Sequence, residues 1–88
     1  MIPVKTFTYT IKDELGIHAR PAGLLVKAAA PFQSKITLDT GTKTADARRI
    51  MALMSLGAKK DSCITVTVDG PDEDTAAQTI ESFFKENL

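Results

Sequence analysis

Cysteine, histidine, net charge and long apolar runs are all scarce in this chain of 88 residues, and each scarcity excludes something. Cys63 stands alone, so no internal disulfide can form and a reducing compartment is expected. One histidine and one cysteine supply no ligand pair at zinc spacing, so no metal site is expected. Lys+Arg and Asp+Glu both number 11, which leaves no global field to draw in nucleic acid or an anionic membrane. No apolar run approaches the ~18 residues of a membrane span, and no charged-then-apolar leader opens the chain. The expectation is a cytoplasmic protein without membrane insertion. No P-loop or other nucleotide motif is present, and no cofactor is expected. No internal repeat, linker or low-complexity tract divides the chain, and its length allows one domain with one core over residues 1–88.

What is present reads as alternating strands and helices. Phe7, Tyr9 and Ile11 alternate with Thr6, Thr8 and Thr10, which predicts a half-buried strand from about Val4 to Ile11. A helix is predicted from about Ala19 to Ala30, where Ala22, Leu25, Val26 and Ala29 recur at i, i+3, i+4 and i+7. Pro21 is tolerated in its first turn, and Pro31 stops it. Lys35 to Thr40 reads as a second strand, Thr40-Gly41-Thr42 as a hairpin turn, and Lys43 to Asp46 as a short third strand. A short helix over Arg49 to Ser55 is closed by Gly57 as a left-handed cap.

Ile64, Val66 and Val68 then alternate with Cys63, Thr65 and Thr67 in a fourth strand, Ser62 to Asp69, broken by Gly70-Pro71. Asp72, Glu73 and Asp74 place negative charge on the first turn of a last helix whose buried stripe is Ala76, Ile80, Phe83 and Phe84. One apolar face per strand and one stripe per helix predict an α+β fold, β-α-β-β-α-β-α. Its four-stranded antiparallel sheet would be covered by three helices on one face.

The chemistry concentrates in Gly16-Ile17-His18-Ala19-Arg20-Pro21-Ala22. The only histidine stands where a strand-like run gives way to a helix. A helix N-terminus presents unpaired N–H groups and a partial positive charge, so it favours an anion. A neutral imidazole there can attack phosphorus, because imidazolium has no free lone pair. The phosphoryl group it gains would sit among amide donors, such as that of Ala19, and the guanidinium of Arg20. A lone histidine in an ordinary domain is more often a surface or structural residue. Position argues otherwise: histidine is a mediocre N-cap, Arg20 is unfavourably placed for the helix dipole, and Gly16 lets the backbone turn sharply beside it.

These seven residues resemble the active-site signature of the HPr family, the histidine-containing phosphocarriers of the bacterial sugar phosphotransferase system. A second block, Arg49-Ile50-Met51-Ala52-Leu53-Met54-Ser55-Leu56-Gly57, resembles the family's short middle helix and its glycine stop. The resemblance spans essentially the whole chain and implies the family's open-faced β-sandwich. It implies a carrier rather than an enzyme. His18 would take phosphate on Nδ1 from enzyme I and pass it to sugar-specific EIIA domains, with Arg20 and Ala19 binding the phosphoryl oxygens. A carrier that docks many partners is most simply a monomer.

Such a carrier needs docking surface more than a substrate pocket. Ile50, Met51 and Met54 lie at i, i+1 and i+4 on the short helix, with Leu53 between them and able to point inward. On periodicity alone, all four would more often be core. The resemblance implies instead an exposed apolar patch beside His18, completed by Gly23, Leu24 and Lys27 and bordered by Arg49. Methionine suits a surface that fits several partners in turn. One departure stands out. Many Gram-positive members carry a regulatory serine where this chain has Arg49, so no regulatory serine is expected there. Ser55 lies in the wrong register to replace it. Arg48 and Arg49 read as solvated charges or as a basic rim for acidic partner surfaces.

Two other classes compete. An HPr-like regulatory module that binds transcription factors or enzymes without carrying phosphate would not need His18 and its arginine, and both are present. A small ferredoxin-like nucleic-acid binder would need basic and aromatic residues interleaved on the open sheet face. Here that face would carry threonines such as Thr65 and Thr67, and the net charge is zero.

Overall fold

Alternation of threonine with apolar residues builds the sheet of this protein, whose computed structural model describes residues 5–88. The elements run β1 (Lys5–Thr10), α1 (Ala19–Ala29), β2 (Lys35–Asp39), β3 (Thr44–Asp46), α2 (Ile50–Ser55), β4 (Cys63–Asp69) and α3 (Glu73–Asn87). This is the predicted order. Val4, expected to open the first strand, lies outside the described residues.

The four strands form one antiparallel sheet in the order β1-β4-β2-β3. Register puts Phe7 opposite Val66 and Val66 opposite Leu38, so these three share a face. Thr8 pairs with Thr65, and Thr65 with Asp39, on the other. Because side chains alternate along a strand, one face collects every buried strand residue: Ile36, Leu38, Ala45, Ile64, Val66 and Val68. The helices cover that face, and the threonine face stays open.

Phe84 on α3 lies at the centre of the packing. Its ring meets Tyr9 at 5.5 Å, Phe7 at 6.1 Å and Phe83 at 6.2 Å, each edge to face. Ala76 and Ile80 are buried with it, while Phe83 is only half-buried. Helix α1 contributes Ala22, Leu25 and Ala29 to the core, with Val26 half-buried at its edge. Helix α2 contributes Leu53 alone and ends on Gly57, whose φ of 68° is the left-handed value expected of its cap.

Two charged residues have roles the sequence reading did not assign. Asp72 was expected to serve the dipole of its own helix, with Glu73 and Asp74. Those two do lie in the first turn of α3. The Asp72 carboxylate turns away and makes no capping bond there. It accepts the N–H groups of Gln33 and Ser34, each at 2.9 Å, and the Ser34 hydroxyl. The Ser34 hydroxyl, then the Gln33 N–H, hold this carboxyl below the ordinary aspartate value. Gly70 permits the contact, since a Cβ there would fall 2.5 Å from the Ser34 Cα. Arg48 is not a solvated charge. It is half-buried, and its guanidinium donates to the Phe32 carbonyl. Arg49 beside it is exposed.

Candidate functional site

The segment between β1 and α1 is tied down at three places before it reaches His18. Ile11 donates to the Ser62 carbonyl and accepts from Asp61, at 2.9 and 2.7 Å. Lys12 and Asp13 donate to the Leu88 carbonyl at 2.6 and 2.9 Å, which brings the end of α3 alongside. A tight turn follows, with the Leu15 N–H on the Asp13 carboxylate and the Gly16 N–H on the Asp13 carbonyl. Ile17 then donates to the Ala58 carbonyl at 3.1 Å and buries its side chain.

Gly16 is required for that last contact. Its φ is 67°, and a Cβ there would sit 2.0 Å from the Ala58 oxygen and 2.6 Å from the Lys59 Cα. The chain therefore meets the segment after α2 backbone to backbone, which fixes where His18 emerges.

His18 is the N-cap of α1, with extended backbone at φ −101° and ψ −171°. Its carbonyl accepts the Ala22 N–H at 3.0 Å, but its side chain makes no capping hydrogen bond. The ring is half-buried. Proline at 21 has no N–H to offer. The open donors of this helix end are therefore the Ala19 and Arg20 amides, which have no backbone acceptor among the described residues. No acidic residue lies in the first turn. The end is electropositive, with no acid of its own first turn to offset it and an imidazole ring beside it.

His18, Arg20, Pro21 and Leu24 line one open depression of about 230 Å³. Asp13, Glu86 and Asn87 line its other side. None of these three was anticipated. Asp13 is five residues from His18, but Glu86 and Asn87 arrive from the far end of the chain, and no spacing rule in the sequence reports that. Among the described residues, Arg20 forms no ion pair.

The residues expected to surround the site fall on two neighbouring helices. A Cβ on Gly23 would lie 3.7 Å from the Ile50 Cδ1, so α1 and α2 touch there. Leu24, Ile50, Met51 and Met54 are exposed, Met51 to 72%, and Leu53 is fully buried. Lys27 and Arg49 are exposed, and Ala19 also faces solvent. Lys27 follows Gly23 by one helical turn, on the same side of α1. Leu15, not singled out in the sequence, is 70% exposed two residues before the buried Ile17. Ser55 donates its hydroxyl to the Met51 carbonyl at 2.8 Å, a bond internal to α2. Among the described residues, no group of three His, Cys, Asp or Glu could hold a metal, and no helix is long and apolar enough to cross a membrane.

Comparison with known proteins gives a consistent result. A family model described as the PTS HPr component phosphorylation site matches residues 5–86. The phosphocarrier protein HPr of Lysinibacillus sphaericus is 42% identical over 83 residues, 94% of each chain. A histidine-containing phosphocarrier protein from Mycoplasma superposes with a TM-score of 0.90 at 36% identity, covering 93% of both chains. Crh, a catabolite repression protein of Bacillus subtilis seen as a swapped dimer, superposes at 0.76 and 31% identity. That match covers 91% of this chain and 92% of the other.

Proposed function

The chain belongs to the HPr family of phosphocarrier proteins of the phosphotransferase system, and from that premise we propose that His18 carries the phosphoryl group. One observation carries the reading. An imidazole free of any capping bond sits at an electropositive helix end, in one depression with Arg20. In the family the donor is phospho-enzyme I and the acceptors are EIIA domains. A lone pair on the neutral ring, Nδ1 in the family, attacks phosphorus. The N–P bond to the donor breaks, and its electron pair returns to the donor's nitrogen. The Ala19 and Arg20 amides and the Arg20 guanidinium hold the phosphoryl oxygens, as charge-assisted donors do. Transfer to an acceptor is the same displacement in reverse.

The apolar surface of Leu24, Ile50, Met51 and Met54, with Gly23 between the helices and Lys27 and Arg49 at its border, is where both kinds of partner dock. Residues 1–88 work as a single domain in the cytoplasm. The protein acts as a monomer; the swapped dimer of the Bacillus subtilis relative is the contrary outcome, read by sedimentation. Arg49 leaves no serine for a kinase at the start of α2.

Incubation with phosphoenolpyruvate and enzyme I, followed by intact mass and phosphorus NMR, tests the proposal. One acid-labile, base-stable phosphate is expected, absent from His18→Ala. Equal labelling of that variant refutes it. Arg20→Ala is expected to slow transfer by the equivalent of about 1.5–3 kcal/mol, the usual worth of a hydrogen bond to a charged group, with little change in melting temperature.

A further inference from the structure

The depression beside His18 holds an arginine that attracts a phosphate, and it also holds two carboxylates that repel one. Asp13 and Glu86 line it together with His18 and Arg20. Asp13 is half-buried and fixed in place, its carboxylate accepting the Leu15 N–H at 2.8 Å. Glu86 lies in the last turn of α3. That turn is held against the site by the Lys12 and Asp13 N–H groups on the Leu88 carbonyl. Among the described residues, neither carboxylate forms an ion pair, so neither charge is neutralised locally. Helix stability does not account for Glu86, because a negative charge at a helix C-terminus is unfavourable for the dipole.

We propose that Asp13 and Glu86 are positioning residues that weaken the hold of this site on phosphate, so that a phosphoryl group on His18 is kept ready to leave. The inference rests on the phosphocarrier reading of His18 and deepens it. A phosphoryl group carries about two negative charges near neutral pH. The helix end and Arg20 stabilise it, and without opposition they would make the loaded carrier a trap. Two acidic residues lining the same space raise the energy of the loaded state relative to the empty one. The separations are those of groups around one solvent-filled depression, where each charge acts through water and salt. One carboxylate therefore changes the relevant equilibrium or rate by about twofold to fivefold rather than by orders of magnitude.

The test uses two probes and three variants. Inorganic phosphate is titrated into the protein, with the Ala19 and Arg20 amide shifts as readout. Separately, His18 is phosphorylated with phosphoramidate and its spontaneous hydrolysis is followed by phosphorus NMR. In that hydrolysis the N–P bond breaks and a water oxygen bonds to phosphorus. The imidazole nitrogen keeps the electron pair and takes a proton, and inorganic phosphate leaves. Glu86→Gln and Asp13→Asn preserve size, and the asparagine oxygen can still accept the Leu15 N–H. Each is expected to tighten phosphate binding and slow hydrolysis about twofold to fivefold, and the double variant more. Glu81→Gln, at a residue that lines a different depression with Lys5 and Asp74, is expected to change neither. Phosphate affinity and hydrolysis rates equal to native in Glu86→Gln and Asp13→Asn would overturn the proposal. Failure of phosphoramidate to modify His18 would instead count against the carrier reading, while the phosphate titration would still decide the role of the carboxylates.

Discussion

Gly16→Ala should damage this protein far more than Gly57→Ala, although the two glycines have nearly the same backbone conformation. Their φ values are 67° and 68°. Placing an L-residue in that region costs about 1–2 kcal/mol at either position. The surroundings differ. Nothing lies within 4 Å of a Cβ at Gly57, whereas at Gly16 the Ala58 oxygen lies at 2.0 Å and the Ala58 carbon at 2.8 Å. These are backbone atoms and cannot swing aside. Relief requires separating the two segments, which breaks the bond from the Ile17 N–H to that same Ala58 oxygen. Overpacking of this kind costs about 1–3 kcal/mol, and the lost hydrogen bond about 1 kcal/mol more.

Gly16→Ala is then expected to lose about 3–6 kcal/mol, and Gly57→Ala about 1–2 kcal/mol. With a urea m-value near 1.5 kcal/mol/M, the midpoints fall by about 2–4 M and about 1 M respectively. The fraction of Gly16→Ala that remains folded should also carry phosphate poorly, because the His18 N–H bonds the Gly16 carbonyl and shifts with it. Urea melts of the two variants, with transfer assays on each, decide the matter. Equal midpoints would refute the reasoning, since they would leave only the conformational cost and no role for the close approach to Ala58.

Five other substitutions, one of them read in a pH scan, probe the remaining assignments. Leu53→Ala should cost about 2–5 kcal/mol, as fully buried leucines do, while Met51→Glu should alter stability by no more than about 0.5 kcal/mol and weaken partner binding; thermal melts and a binding assay separate the two. Arg48→Ala should lose about 1–2 kcal/mol with its bond to the Phe32 carbonyl, and Arg49→Ala almost nothing, again by melting. The Asp72 carboxyl titrates lower folded than unfolded, so its contribution is intact above its ordinary value and disappears as pH falls through the lower folded one. Acid unfolding curves should show that loss in the native protein and not in Asp72→Asn, which starts less stable at neutral pH.

Local pattern made the elements legible, and long-range contact hid the rest. Phe7 and Tyr9 alternate with threonines, and Ile64, Val66 and Val68 do the same, so strand faces could be read directly and the observed ends differ by a residue or so. Periodicity alone would bury Leu53, Met51 and Met54 together, and only the resemblance to the family separated them; the structure buries Leu53 alone of the three. Asp72 stands at the N-cap of α3 as its position in the sequence implies, but its partners, Gln33 and Ser34, lie 39 and 38 residues away, where no local pattern reports them. Arg48 reaches 16 residues back to a carbonyl that no pattern marks. Glu86 and Asn87 join the His18 depression only because the end of α3 is bound to Lys12 and Asp13.

The helix starts also explain why the candidate site stands out in the sequence. Helix α3 follows the rules for a stable helix at its start, with Glu73 and Asp74 in its first turn. Helix α1 breaks them at its start. It has no acidic residue in the first turn, and a basic residue there instead. The same chain satisfies the dipole at one helix and leaves it bare at another, so composition is not the cause. Each departure costs a fraction of a kcal/mol to about 1 kcal/mol in an empty protein. All of them turn favourable at once when an anion arrives, since the free amides, the dipole and Arg20 then have a common partner. That pattern of local loss recovered by one ligand is what a phosphate-carrying site requires. It is visible in the linear sequence because every residue that creates it lies within one turn of His18.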